Sequence, residues 1–122
     1  MIQFQLPNMW RVAAGLLGML AVALGAVAAH ALKDPQAALA VERAANYQLI
    51  HAVVLLVTTF MPGRSGAVAR WLFLLGILLF SGSIYAKYLL HIVMAGKLAP
   101  TGGVLLMAGW LSLCFGLRNI QK

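Results

Sequence analysis

Acid is what this sequence lacks most: Asp34 and Glu42 are the only two carboxylates in 122 residues, and charged residues of either sign make up 9% of the chain, against about 25% in soluble globular proteins. So few charges cannot coat a water-facing surface, which excludes an ordinary soluble domain. No carboxylate lies deep in an apolar segment, so the titrating group on which proton-coupled cation export rests is missing unless a histidine replaces it. Cysteine is nearly absent as well. The single Cys114 cannot close an internal disulfide, and without a CxxC or Cys/His spacing no zinc site or covalent haem attachment is expected. Cys114 itself reads as a small apolar packing residue of the last helix.

What is present is apolar. Hydrophobic residues reach 63% with a mean hydropathy of +0.94, and four segments of the roughly 20 residues a crossing requires use up nearly the whole chain. The expected fold is all-α, an integral membrane four-helix bundle forming a single domain over 1–122. Its spans are placed at 10–32, 47–61, 70–94 and 101–117, with a short interfacial helix at 35–46 that bends or continues into the second span. The formal charge of +7 comes from nine Lys and Arg scattered singly at segment ends. That pattern fits lipid headgroups as partners and not nucleic acid.

Arg11, the apolar run after it and Ala29-His30-Ala31 superficially resemble a signal peptide. Val12 to Ala29 exceeds an h-region of about 7 to 15 residues, so the segment is retained as span one. Along it Gly18, Ala21, Gly25 and Ala29 form a small-residue stripe, and such stripes mark helix-packing faces in lipid. Asp34 and Pro35 open the next helix as N-cap and N1 residue. Residues 61–66 read as a turn, Met61-Pro62-Gly63-Arg64-Ser65-Gly66, and Arg70-Trp71 as interfacial anchors. The third helix is expected to continue through Tyr88 and His91 towards Met94, and Trp110 falls mid-span as a packed core residue or a pocket wall.

With four spans both termini share a side. Arg11, Arg64, Arg70, Arg118 and Lys122 fall on it, and Lys33, Arg43, Lys87 and Lys97 on the other. Because Arg11, Arg70 and Arg118 sit directly at span ends, the positive-inside rule places the termini in the cytoplasm.

Antiparallel threading brings the end of span one, the start of span two, the end of span three and the start of span four to one leaflet. His30, Tyr47, Gln48, His51, Ser81, Ser83, Tyr85 and Thr101 therefore fall in one half of the bundle, and the polar residues are expected to gather round His51. Tyr47 with His51, and Ser81 with Tyr85, are four residues apart and project from one side of their helices. Two readings follow: a hydrogen-bond network that fixes helix register, each bond worth about 1 kcal/mol or less in lipid, or a ligand or ion site. A Ser81 or Ser83 nucleophile served by His51 lacks an orienting acid and an oxyanion donor.

Four motifs now carry a resemblance. Gly25-Ala26-Val27-Ala28-Ala29-His30-Ala31-Leu32, Tyr47-Gln48-Leu49-Ile50-His51-Ala52, Phe80-Ser81-Gly82-Ser83-Ile84-Tyr85, and Pro100-Thr101-Gly102-Gly103 with Gly109-Trp110 resemble the YgdD/YwdK-type family. These are small four-helix inner-membrane proteins of unknown function. The match departs at Val27 and Ala28, where the family pattern reads Phe-Gly, and in a longer, more polar Lys87 to Lys97 connection. The resemblance implies four helices in a bacterial inner membrane and supplies no catalytic residue. Gly82, Gly102 and Gly103 lie within its motifs and are expected to pack closely against neighbouring helices.

These observations point to a non-enzymatic accessory subunit or oligomeric scaffold, forming a homo-oligomer or part of a larger membrane complex. The alternatives are a small-solute or ion transporter or channel, and a membrane subunit in which His30 and His51 contact a quinone, haem or metal.

Overall fold

Short polar punctuation sets the helix boundaries in the computed structural model, which describes residues 8–120, with side chains through residue 115. Asn8 accepts a hydrogen bond from the Trp10 backbone N–H at 2.8 Å and opens α1, Met9–His30. Asp34 accepts from the Gln36 N–H at 3.4 Å and, with Pro35 as first helical residue, opens α2, Pro35–Thr58. Both are side-chain caps of otherwise orphaned N–H groups. Pro62 precedes α3, Gly63–Leu89, and a short 3₁₀ helix, Val93–Leu98, leads into α4, Ala99–Ile120. No strand occurs among the described residues.

The stretch 35–46 continues without a break into the segment from Tyr47, so that α2 is one helix, because no Gly or Pro follows Pro35 before its end and the alanines of its first half favour helix. Two expected boundaries move. The turn placed at 61–66 is shorter, since Gly63 takes a positive φ of 71° and already begins α3. Gly66 lies inside that helix, so close to the Met61 carbonyl that a Cβ would collide with it. The third helix stops at Leu89 and does not reach Met94. His91 adopts φ 60°, and the Ile92 N–H closes back onto the Ala86 carbonyl at 3.0 Å, which turns the chain where a continued helix was expected. Of the basic residues in the charge count, Lys122 and the Arg118 side chain lie outside the described residues.

Three stretches are long and apolar enough to cross a membrane: Met9–His30, Gly63–Leu89 and Val93–Phe115. α2 is not among them, because Glu42, Arg43, Asn46, Gln48 and His51 dilute its hydropathy.

α3 is the hub. It packs against α2 and α4 and against the 3₁₀ helix, while α1 lies along α2. The buried cluster at the centre comprises Ala14, Leu55, Ala69, Phe73, Ile77 and Leu106. Between α1 and α2 the contact is a seam of small residues: Ala14, Ala21 and Ala28 are buried, and Gly18 and Gly25 face the Cβ atoms of Ala52 and Ala45. Ala29, expected on this stripe, is exposed. Its neighbour Ala28 takes the position, since steps of four, three, four and three residues from Ala14 keep one face towards a partner where repeated steps of four drift off it.

The closest approaches lie between α3 and α4. A Cβ on Gly102 would strike the backbone of Leu79 and Phe80, one on Gly109 the Phe73 ring, and one on Gly76 the Leu106 side chain. Glycine here lets helix backbones meet. Gly103 is in ordinary contact distance of Phe80, whereas Gly82 faces open space, so the close packing expected at Gly82 is absent. Cys114 is exposed and not a packing residue.

Candidate intramembrane polar site

α2 turns Gln48 and His51 inward while Glu42, Arg43 and Asn46, nearer its start, stay exposed. Gln48 and His51 are buried, at 3% and 5% exposure, although they stand on the least apolar helix. Gln48 lies one turn from the α1 seam, and its Nε2 donates to the Leu17 carbonyl at 2.6 Å. Its Oε1 accepts from the Tyr85 hydroxyl on α3 at 2.7 Å. One side chain therefore ties three helices together. A second pin runs from Ser81 Oγ on α3 to the Ala44 carbonyl on α2 at 2.9 Å. Because a backbone carbonyl has two lone pairs, Leu17 and Ala44 accept these bonds without surrendering their helical ones.

His51 closes the group towards α4. Its Nδ1 donates to the Tyr47 carbonyl one turn back at 2.6 Å, and its Nε2 accepts from the Trp110 indole N–H at 3.0 Å. An indole nitrogen only donates, so Nε2 must carry the lone pair and Nδ1 the proton. This tautomer leaves neither imidazole nitrogen open in the observed arrangement. The ring is also enclosed by aromatics: Tyr47 stacks 6.0 Å away and within 7° of parallel, and Trp110 meets it edge-on at 5.8 Å. Phe73 lies 6.0 Å from it on the α3 side.

Of the eight polar residues expected to gather here, Gln48, His51, Ser81 and Tyr85 are linked by side-chain bonds to other helices, and Tyr47 contributes its ring and carbonyl. Ser83 is buried but bonds the Phe80 carbonyl of its own helix at 2.9 Å, the local bond typical of a helical serine. His30 at the end of α1 and Thr101 in the first turn of α4 are both exposed and stand outside the network.

Two contributions go beyond the sequence reading. Trp110 is a pocket wall, as expected, and is in addition the partner of His51. The signal was available, because an indole N–H at mid-span needs an acceptor. Arg70 was read as an interfacial anchor, yet its Nη1 reaches the Thr58 and Met61 carbonyls at 2.9 and 3.3 Å. It thereby caps the carbonyl end of α2, and its guanidinium lies 5.8 Å from the Trp10 ring.

Outside the polar network, Tyr47, Ile50, Phe80, Leu106, Met107 and Trp110 wall a lateral groove of about 460 Å³ between α2 and α4, with His51 along it. A second hollow of about 420 Å³ shares Tyr47 and Phe80 with it and carries Arg43, Lys87 and Tyr88. Among the described residues no three His, Cys, Asp or Glu side chains converge as a metal site. The Ser81 and Ser83 hydroxyls bond the Ala44 and Phe80 carbonyls and not His51.

Comparison with known proteins places these residues in context. A family model described as a protein of unknown function (DUF423) matches residues 24–103, a stretch that holds Gln48, His51, Ser81 and Tyr85 but not Trp110. The chain is 39% identical to a UPF0382 membrane protein of Staphylococcus saprophyticus, over 86% of this chain and 92% of that one. It is 36% identical to the UPF0382 membrane protein YwdK of Bacillus subtilis, over 78% and 84% of the two chains. With the UPF0382 inner membrane protein YgdD of Escherichia coli the identity is 33%, over 89% and 88%. No solved structure matches significantly.

Proposed function

The chain belongs to the DUF423 family of membrane proteins of unknown function, and from that premise we propose that it is a non-enzymatic four-span bundle serving as a small subunit or scaffold of a membrane assembly. The observation that carries this reading is the closed polar network. Gln48, His51, Ser81 and Tyr85 each make a side-chain bond to another helix, and the remaining His51 nitrogen is taken by the Tyr47 carbonyl of its own helix. Polar groups used this way hold helices in register. A proton carrier or general base needs a lone pair that is free to receive, and the one on His51 Nε2 is held by Trp110. His30 and His51 do not meet, so a paired histidine site for haem, copper or quinone has no geometric support.

The fourth crossing is α2. Its outward residues Leu49, Ile50, Val53, Leu56 and Val57 are apolar and between 40% and 56% exposed, which suits contact with lipid, while over the same stretch Gln48, His51 and Thr58 face the protein. In lipid the polar and apolar sides of such a helix are reversed relative to one in water. We place both termini in the cytoplasm on the charge bias, and the protein in a bacterial inner membrane, as YgdD is named.

Crosslinking in native membranes followed by native mass spectrometry in mild detergent tests the assembly. The expected result is a homo-oligomer or a defined heteromer. Recovery of monomer alone, without any crosslinked partner, would overturn the proposal.

A further inference from the structure

Two neighbouring hollows on the α2, α3 and α4 side share Tyr47 and Phe80 as walls and differ in chemistry. The outer hollow holds Arg43 from α2 and Lys87 from α3. Neither cation has an acidic partner among the described residues. Lys87 is also held in place: a Cβ on Gly96 would meet its Cδ at 2.9 Å, so the glycine makes room for the lysine stem, and the ammonium sits 5.1 Å from the Tyr88 ring. Past Tyr47 and Phe80, which line both hollows, the groove turns apolar and runs between Ile50 on α2 and Leu106, Met107 and Trp110 on α4.

The three helices carry this polarity in parallel. Moving from Arg43 to Ile50, from Lys87 to Phe80, or from Ala99 to Trp110 leads from the cationic end to the apolar one. Along α4 that path is roughly 16 Å at 1.5 Å per residue. A free inorganic anion would use only the first part of such a site and an uncharged hydrocarbon only the second. Charge and shape together suit a molecule with an anionic head and an apolar tail.

We propose that this groove binds one anionic membrane lipid, with its phosphate against Arg43 and Lys87 and one tail along Tyr47, Phe80 and Trp110. Unpaired cations at a membrane interface attract anionic lipid by about 1 kcal/mol each, and two together correspond to a preference of about thirtyfold over a zwitterionic lipid. The proposal stands on the groove and not on the assembly, so a monomeric protein would leave it intact.

The test is native mass spectrometry of the delipidated full chain with added phosphatidylglycerol or phosphatidylethanolamine. The wild type is expected to retain phosphatidylglycerol about thirtyfold better, and the R43Q/K87Q variant to retain the two lipids about equally. Gly103→Leu, which fills the groove beside Phe80 while leaving both cations, is expected to weaken retention of phosphatidylglycerol. Thermal melts of each variant check that the fold is kept, and if Gly103→Leu unfolds, Met107→Ala, which removes an apolar wall of the same slot, replaces it with weakened retention again expected; undiminished retention in the folded variant overturns the proposal. Equal retention of both lipids by the wild type overturns the proposal, as does an undiminished preference in R43Q/K87Q. Displacement of bound lipid by millimolar inorganic phosphate also overturns it, since the site would then recognise a free anion.

Discussion

Gln48 shows what one residue can do in a membrane bundle. Its amide nitrogen and oxygen reach α1 and α3 from a position buried on α2, so a single side chain sets the relative height of three helices. Interhelical bonds in lipid average about 0.6 kcal/mol, and losing a partner leaves the other group unsatisfied at additional cost. Tyr85→Phe in the wild type is therefore expected to destabilise by about 0.6 kcal/mol. Gln48→Leu should cost about 1 to 2 kcal/mol, because it strands the Tyr85 hydroxyl. In the Gln48→Leu background the Tyr85→Phe change should cost nothing or be slightly favourable. Unfolding by denaturing detergent in a double-mutant cycle measures this coupling, and strictly additive effects would contradict the bond. The sequence marked Gln48, His51, Ser81 and Tyr85 as a group because all are polar residues at similar depth. It did not reveal that His30 and Thr101 stand apart, because similar depth does not specify which way a side chain points round its helix.

Between elements, glycine has two different meanings that composition does not separate. Gly102 lets the α4 backbone lie against that of Phe80, whereas Gly82 borders open space, in a hollow with Leu17 and Gln48. An added methyl at Gly102 meets backbone atoms that have no rotamer to escape into, so Gly102→Ala is expected to cost about 2 kcal/mol or more, towards the upper part of the range for overpacking. Gly82→Ala should be neutral or stabilising by up to about 1 kcal/mol through helix propensity. Thermal melts of the two purified variants decide the matter, and similar melting temperatures would refute the close approach of α3 and α4. The α1 stripe was legible because small residues recur at helical spacing. Its end at Ala28 and not Ala29 followed from where α2 lies, and that is a property of the pair of helices.

For the whole molecule, the decisive question is how a helix too polar to qualify as a span by composition sits among three that qualify. In the four-span reading α2 crosses, and the α1–α2 and α2–α3 connections lie on opposite sides. Single cysteines introduced at Lys33 and Arg64 in a Cys114→Ala background should then label from opposite faces of sealed membranes with an impermeant maleimide. Labelling of both from one face would show that α2 does not cross. Length, apolar content and the scarcity of acid were sufficient in the sequence to specify a helical membrane protein, because a backbone in hydrocarbon must satisfy its own hydrogen bonds and helices do so locally. Caps at Asp34 and Pro35 were equally local, and so equally legible. The capping of the α2 end by Arg70 depends on how α3 packs beside it. The His51–Trp110 bond likewise depends on packing, since it joins residues 59 positions apart. Tertiary structure alone decided these features, since a polar group in lipid takes whichever partner packing brings within reach.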